Sequence, residues 1–276
     1  MLRCMTWTRA VLNGVELAYE EAGEGEPVLL IHGSPVAGAF DLLAREPALA
    51  EGHRVVRYQR RGYARALPKS ESWASMEDQA ADAAALLDHL GIDRAHVVGY
   101  DMGGLIALQL AIDTPGLVQS LALLEPLLME VPSGPDVAPG VVPAIEAYQA
   151  GDPAGAVRLL VELGGGPESA GVLARCLPTA LERAARDAGA FFEEEFLAIA
   201  NWEMDDASWD LIYQPILSVV GEHSLPFFAE GREVLRSNCF DVENFDLFNA
   251  SHLLQIENPE GMAAGLRSFF SRHPMR

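Results

Sequence analysis

Residues 97–104 read Val-Val-Gly-Tyr-Asp-Met-Gly-Gly, with Asp101 flanked at −2 and +2 by Gly99 and Gly103. A short apolar strand pattern precedes Asp101 and a strongly apolar helix pattern, 102–112, follows it. This is the spacing of a nucleophile elbow, G-x-S-x-G, with Asp in place of Ser. Small flanking residues let the chain turn sharply. The central side chain is thrust out at a helix N-terminus, whose free N–H groups favour an anion. An Asp that only caps the helix is the plain alternative; the strand before and the helix after favour the elbow. A carboxylate needs no base to activate it. It suits displacement at saturated carbon, which leaves an alkyl–enzyme ester for water to hydrolyse.

With this elbow the chain resembles the α/β-hydrolase family, over nearly its whole length and more weakly in its central part. His32-Gly33-Ser34-Pro35 is similar to that family's H-G-x-P loop. The resemblance implies an oxyanion hole made by the backbone N–H groups of Ser34 and Met102. Ala250-Ser251-His252-Leu253-Leu254-Gln255, followed by Glu257-Asn258-Pro259, is similar to the catalytic-histidine loop, which makes His252 the general base. His223 is its one serious competitor. The family most often ends a later strand in G-x-x-D, but here Gly221-Glu222-His223-Ser224 puts Ser where that acid would stand. Some members carry a Glu after the preceding strand instead. That position is Glu125, in Leu124-Glu125-Pro126, and Glu222 is the second choice. A carboxylate is needed to hold the imidazole in one tautomer.

Within the family, an Asp at the elbow resembles epoxide hydrolases and haloalkane dehalogenases. The dehalogenases cradle halide with indole N–H groups, one usually directly after the nucleophile, where this chain has Met102. The epoxide hydrolases protonate the opening ring with tyrosines of an inserted helical cap. The candidates for substrate contact are therefore Tyr148, Tyr213, Trp202 and Trp209. Glu193-Glu194-Glu195 reads as a solvated helix face, and Arg60-Arg61-Gly62 as structural turn contacts. An apolar pocket for a hydrophobic small molecule is expected.

The elements that must position these groups follow from periodicity. A hairpin turns at Asn13-Gly14 into a strand over 15–21. The continuous apolar run at 28–31 fits a strand buried on both faces of a parallel sheet, and further strands are read at 54–58, 95–99, 118–124 and 215–220. A further strand is expected at 241–247, and helices at 76–90, 102–112 and 259–270. Alternating β and α elements mark an α/β fold with a mostly parallel central sheet flanked by helices. The chain between breaks that alternation, with four prolines in 131–143 and helical texture to about 210. The expectation is a core of residues 1–126 and 211–276 with a helical cap, 127–210, because the later strands need the first sheet to pair with.

Composition bounds the rest. Among 276 residues, 50% are hydrophobic and 21% charged, so the chain can bury a large core. With 19 Lys+Arg against 40 Asp+Glu the formal charge is −21, which excludes a nucleic-acid partner and disfavours an anionic membrane surface. Lys69 is the single lysine, a sign of GC-rich coding. Cys4, Cys176 and Cys239 have no disulfide or zinc spacing and read as buried or incidental thiols. No phosphate loop, dinucleotide fingerprint or metal cluster implies a cofactor or a metal. Residues 1–12 lack a signal-peptide core, so a cytoplasmic location is expected. The sequence leaves oligomeric state open. The leading expectation is an epoxide-opening hydrolase, with a role in natural-product tailoring; the alternatives are a dehalogenase, an ester or peptide hydrolase, and a cyclase or binding protein on the same fold.

Overall fold

The computed structural model describes residues 6–63 and 74–275; Cys4 and Lys69 lie outside them. Eight strands form one sheet: β1 (Thr8–Leu12), β2 (Val15–Ala22), β3 (Glu26–Ile31), β4 (His53–Gln59), β5 (Ala95–Tyr100), β6 (Val118–Leu124), β7 (Ile216–Gly221) and β8 (Val242–Leu247). Their order is β1-β2-β4-β3-β5-β6-β7-β8. β1 and β2 make the hairpin, with Leu12 opposite Val15 across the Asn13-Gly14 turn, and β2 pairs antiparallel with β4. Every other pair is parallel. The mostly parallel α/β sheet inferred from periodicity is the one observed.

The continuous apolar runs are explained by cover on both faces. Val28 and Leu30 face one core cluster, and Leu29 and Ile31 face the other. The helices Met76–His89 and Met102–Asp113 pack on one side, and Pro259–Arg272 on the opposite side. A capping box formed by Ser75 and Asp78 starts the first of these. The helix Pro226–Asn238 is an element the sequence reading passed over.

Between β6 and β7 every regular element is helical, from Gly134 to Trp209. Val157, Val161, Leu173 and Ala184 of this segment share a cluster with Val28, Val98 and Leu124 of the sheet. The helical segment therefore has no separate core.

Parallel β3, β5, β6, β7 and β8 end at the same edge of the sheet, so the loops that follow them meet there. Ligands of open α/β sheets bind at these carboxyl ends. The sharpest bend is at Asp101, with φ 54°, between β5 and the Met102–Asp113 helix. Its glycines are required by contact distance. A Cβ on Gly99 would lie 2.4 Å from the Gly103 carbonyl oxygen, and one on Gly103 would lie 2.1 Å from that of Ile31. Both obstacles are backbone. Gly103→Ala should cost about 1–3 kcal/mol, as overpacking a tight core does, and should displace the chain after β3. Gly116→Ala, where the added atom meets nothing within 4 Å, should stay within about 1 kcal/mol of the parent. Urea unfolding of the two variants measures the difference.

Candidate active site

Asp101 ends β5 and is 7% exposed, its carboxylate facing a cavity of about 430 Å³. The Ser34 backbone N–H donates to Asp101 Oδ2 at 2.9 Å. A Cβ on Gly33 would lie 2.6 Å from that same oxygen, so the His-Gly pair leaves room for the nucleophile candidate. Met102 opens the helix and is fully buried, with its Sδ 3.3 Å from Ser34 Oγ.

His252 follows β8, and its Nε2 lies 3.7 Å from Asp101 Oδ1. On the other side its Nδ1–H donates to Glu125 Oε2 at 2.7 Å. Glu125 is fully buried, and its second oxygen accepts the Gly221 N–H at 2.8 Å. A buried carboxylate needs such partners. Like Asp101, Glu125 sits at positive φ (47°), which turns its side chain across the strand ends toward His252. Phe228 stacks on the imidazole at 4.4 Å and 6°, and Tyr100 packs against it at 5.0 Å. Burial pushes the His252 pKa down. The nearby Asp101 side chain and the hydrogen bond to Glu125 outweigh this and hold it at about 9. His252 therefore favours its protonated form at neutral pH.

The competing assignments lie elsewhere. Glu222 is on the surface, where it accepts the Asn249 N–H at 2.9 Å. His223 is exposed beside it.

Four aromatic candidates divide. Trp202 lines the cavity, but its indole N–H donates to Gln109 Oε1 at 2.8 Å. Tyr148 does not line it; the hydroxyl donates to Glu193 Oε1 at 2.5 Å and the ring stacks on Phe192. Tyr213 is 64% exposed, and Trp209 is buried in the core beside Met204. Tyr148, Tyr213 and Trp209 thus correct the expected substrate contacts, because each side chain is committed outside the cavity. The wall is mostly apolar, with Leu160, Leu163, Phe191, Phe196 and Ile199 among its residues, and Glu130 and Glu203 also line it.

A second correction concerns Glu195. It is 3% exposed rather than solvated, and it pairs with Arg60, which is 1% exposed. Arg60 Nε donates to the His32 carbonyl at 2.9 Å, and Tyr63 donates its hydroxyl to Glu195 at 2.9 Å. Burial, then the Arg60 charge, pushes the His32 pKa well down. Neutral His32 donates from Nδ1 to the Gly33 carbonyl at 2.7 Å, and its Nε2 accepts the Arg60 N–H. Sequence reasoning also missed Phe228 and Gly164, where a Cβ would lie 2.8 Å from His252 Cδ2. Among the described residues, no group of three or more His, Cys, Asp or Glu side chains is arranged to hold a metal ion. No helix there is long and apolar enough to cross a membrane.

The known family described as the alpha/beta hydrolase fold matches residues 26–259. The chain belongs to the alpha/beta-hydrolase fold family. Over 144 residues it is 31% identical to the soluble epoxide hydrolase of Corynebacterium sp. (strain C12), covering 52% of this chain and 46% of that protein. Over 123 residues it is 36% identical to the 2-hydroxy-6-oxo-6-phenylhexa-2,4-dienoate hydrolase of Comamonas testosteroni, covering 42% of this chain and 41% of that one. The chain thus spans less than half the length of these curated relatives. The crystal structure of the enol-lactonase from Burkholderia xenovorans LB400 superimposes with a TM-score of 0.79 at 21% identity, over 96% of this chain and all of that one; this likeness is one of fold. Family members of such different names share the hydrolase scaffold, so the acid assignment needs its own test. Glu125→Gln should lower turnover of a hydrolysed substrate by roughly 10²–10⁴-fold with the fold intact, the scale of triad carboxylate changes. Glu222→Gln should stay near the parent rate. Steady-state kinetics alongside circular dichroism decides between them.

Proposed function

We propose that this alpha/beta hydrolase opens an epoxide, or a related electrophilic saturated carbon, of a hydrophobic small molecule through a covalent Asp101 ester. The observation that carries the reading is the elbow carboxylate itself. It faces a mostly apolar cavity, with the Ser34 N–H on one oxygen and His252 beside the other. The relative named as a soluble epoxide hydrolase supports the same chemistry. Residues 127–210 act as the cap over the site, and Ser34 and Met102 supply the oxyanion hole.

In the first step an Asp101 oxygen bonds to a ring carbon, the carbon–oxygen bond breaks, and its electron pair stays on the ring oxygen, which takes up a proton from solvent. In the second step His252, having released its own proton to solvent once the ester has formed, removes a proton from water, and the hydroxide adds to the Asp101 carbonyl carbon. The charge that develops on the carbonyl oxygen meets the Ser34 N–H. Collapse of this adduct releases the diol and restores the carboxylate. Glu125 keeps the imidazole in the tautomer that presents Nε2 to the water. Halide release is disfavoured, because the Trp202 indole N–H is taken by Gln109 and Trp209 lies outside the cavity. Tyr148, whose hydroxyl is held by Glu193 outside the cavity, is not assigned the proton for the ring oxygen. Hydroxyls on the cavity wall belong to Ser34 and Tyr100.

A single turnover in heavy-oxygen water tests the ester. The first product should carry unlabelled oxygen, because that atom comes from Asp101, and the label should appear in the Asp101 peptide. His252→Gln should accumulate the substrate mass on that peptide, and Asp101→Asn should abolish both signals. Labelled product in the first turnover, with no adduct, would make Asp101 a base or a binding group instead. With the same epoxide, Tyr148→Phe should keep turnover within about threefold, whereas loss of a general acid costs about 10²-fold or more. A drop of that larger size would return Tyr148 to the site.

A further inference from the structure

The Arg60–Glu195 pair is buried, spans 135 residues of sequence, and is not used by the steps above. Glu195 ends a π-helical turn, Ala190–Glu195, in the helical segment. Such turns widen a helix locally and occur often at functional sites. This one packs on Gly62, where a Cβ would lie 2.9 Å from that of Ala190. One Glu195 oxygen meets the Arg60 guanidinium. The other accepts from the hydroxyls of Tyr63 and Ser34. Arg60 in turn holds the carbonyls of His32 at 2.9 Å and Gly33 at 3.3 Å. Residues 32, 33 and 34 are thus tied, directly or through Arg60, to one carboxylate of the helical segment. Ser34 is the residue whose N–H reaches Asp101.

We propose that Glu195 is a positioning residue, by which the helical segment fixes the Ser34 N–H against Asp101. A buried ion pair contributes little net stability compared with apolar packing, so its best-attested use is to select one geometry. Here the geometry selected is that of the loop after β3. A helical residue placed this way completes the oxyanion loop only when the segment is seated on the core. The kinetic consequence rests on the Asp101 ester reading. The oxyanion donor acts on ester hydrolysis, when charge develops on the Asp101 carbonyl, and not on the displacement that forms the ester.

Two variants, Glu195→Gln and Ser34→Ala, separate the outcomes. Ser34→Ala keeps the Arg60–Glu195 pair and the backbone N–H, and removes the hydroxyl with its contacts to Glu195, Arg60 and Met102. With an epoxide substrate followed by rapid-quench mass spectrometry, Glu195→Gln should form the Asp101 ester within about threefold of the parent rate. It should hydrolyse the ester about 10²-fold more slowly, the scale of one lost oxyanion donor. Ser34→Ala should slow the same step by several-fold. Crystal structures should show the 2.9 Å contact from Ser34 N to Asp101 Oδ2 lengthened beyond hydrogen-bond reach in Glu195→Gln. Ester hydrolysis at the parent rate in both variants, or equal slowing of both steps, overturns the proposal. Should Glu195→Gln fail to fold, Ser34→Ala decides it. Should the parent form no ester, the Asp101 reading falls and the structural comparison judges Glu195: an unchanged contact overturns its role.

Discussion

Two buried carboxylates share one imidazole, and the surrounding architecture serves to keep them there. Asp101 and Glu125 are acidic side chains held away from water, a placement that is costly unless each is met by a partner. His252 meets both, at 3.7 Å and 2.7 Å. The remaining oxygens are met by backbone N–H groups, from Ser34 to Asp101 and from Gly221 to Glu125. The last residue of β7 and the loops after β3, β5, β6 and β8 each supply one of these groups. A parallel sheet is the scaffold that delivers so many loop starts to one edge.

Holding the carboxylates requires unusual backbone. Asp101 and Glu125 end neighbouring strands and both lie at positive φ, a conformation that costs a non-glycine residue about 1–3 kcal/mol. The strain is held by sheet contacts that continue past the strand ends. Asp101 N–H donates to the Leu124 carbonyl at 3.0 Å, Glu125 N–H to Val219 at 3.1 Å, and Leu127 N–H returns to the Asp101 carbonyl at 3.3 Å. Each turn is thereby braced by the next strand. Gly33, Gly99 and Gly103 make the approach close enough by having no Cβ to clash.

What was legible in the sequence follows from this geometry. Groups placed by a local pattern could be read: Asp101 by its flanking glycines, Ser34 by its His-Gly neighbours, Glu125 as a charge closing an apolar strand. Groups placed by distant packing could not. Glu195 sits in a run of three glutamates, and nothing in that run distinguishes the one that turns inward to Arg60 from its less buried neighbours. The π-helical turn that aims it has no period a helix pattern would reveal. Tyr148 failed for the converse reason, since its presence in the helical insert says nothing about where its hydroxyl points. Gly164 and Phe228 shape the surroundings of His252 from chain positions 88 and 24 residues before it, and neither lies in a motif.

The shared imidazole also sets the order of events that an Asp101 ester would need. Before any ester forms, the neighbouring Asp101 and Glu125 side chains raise the His252 pKa to about 9. A protonated imidazole is no base, so it does not activate water at that stage. Alkylation turns the Asp101 carboxylate into a neutral ester and removes one of the two charges that raised the His252 pKa. Burial, which pushes the other way, remains. The imidazole then sheds its proton more readily, while Glu125 still fixes its tautomer. Under that reading, the step that forms the ester also frees the base that the ester needs, through the Coulomb coupling of Asp101 and His252.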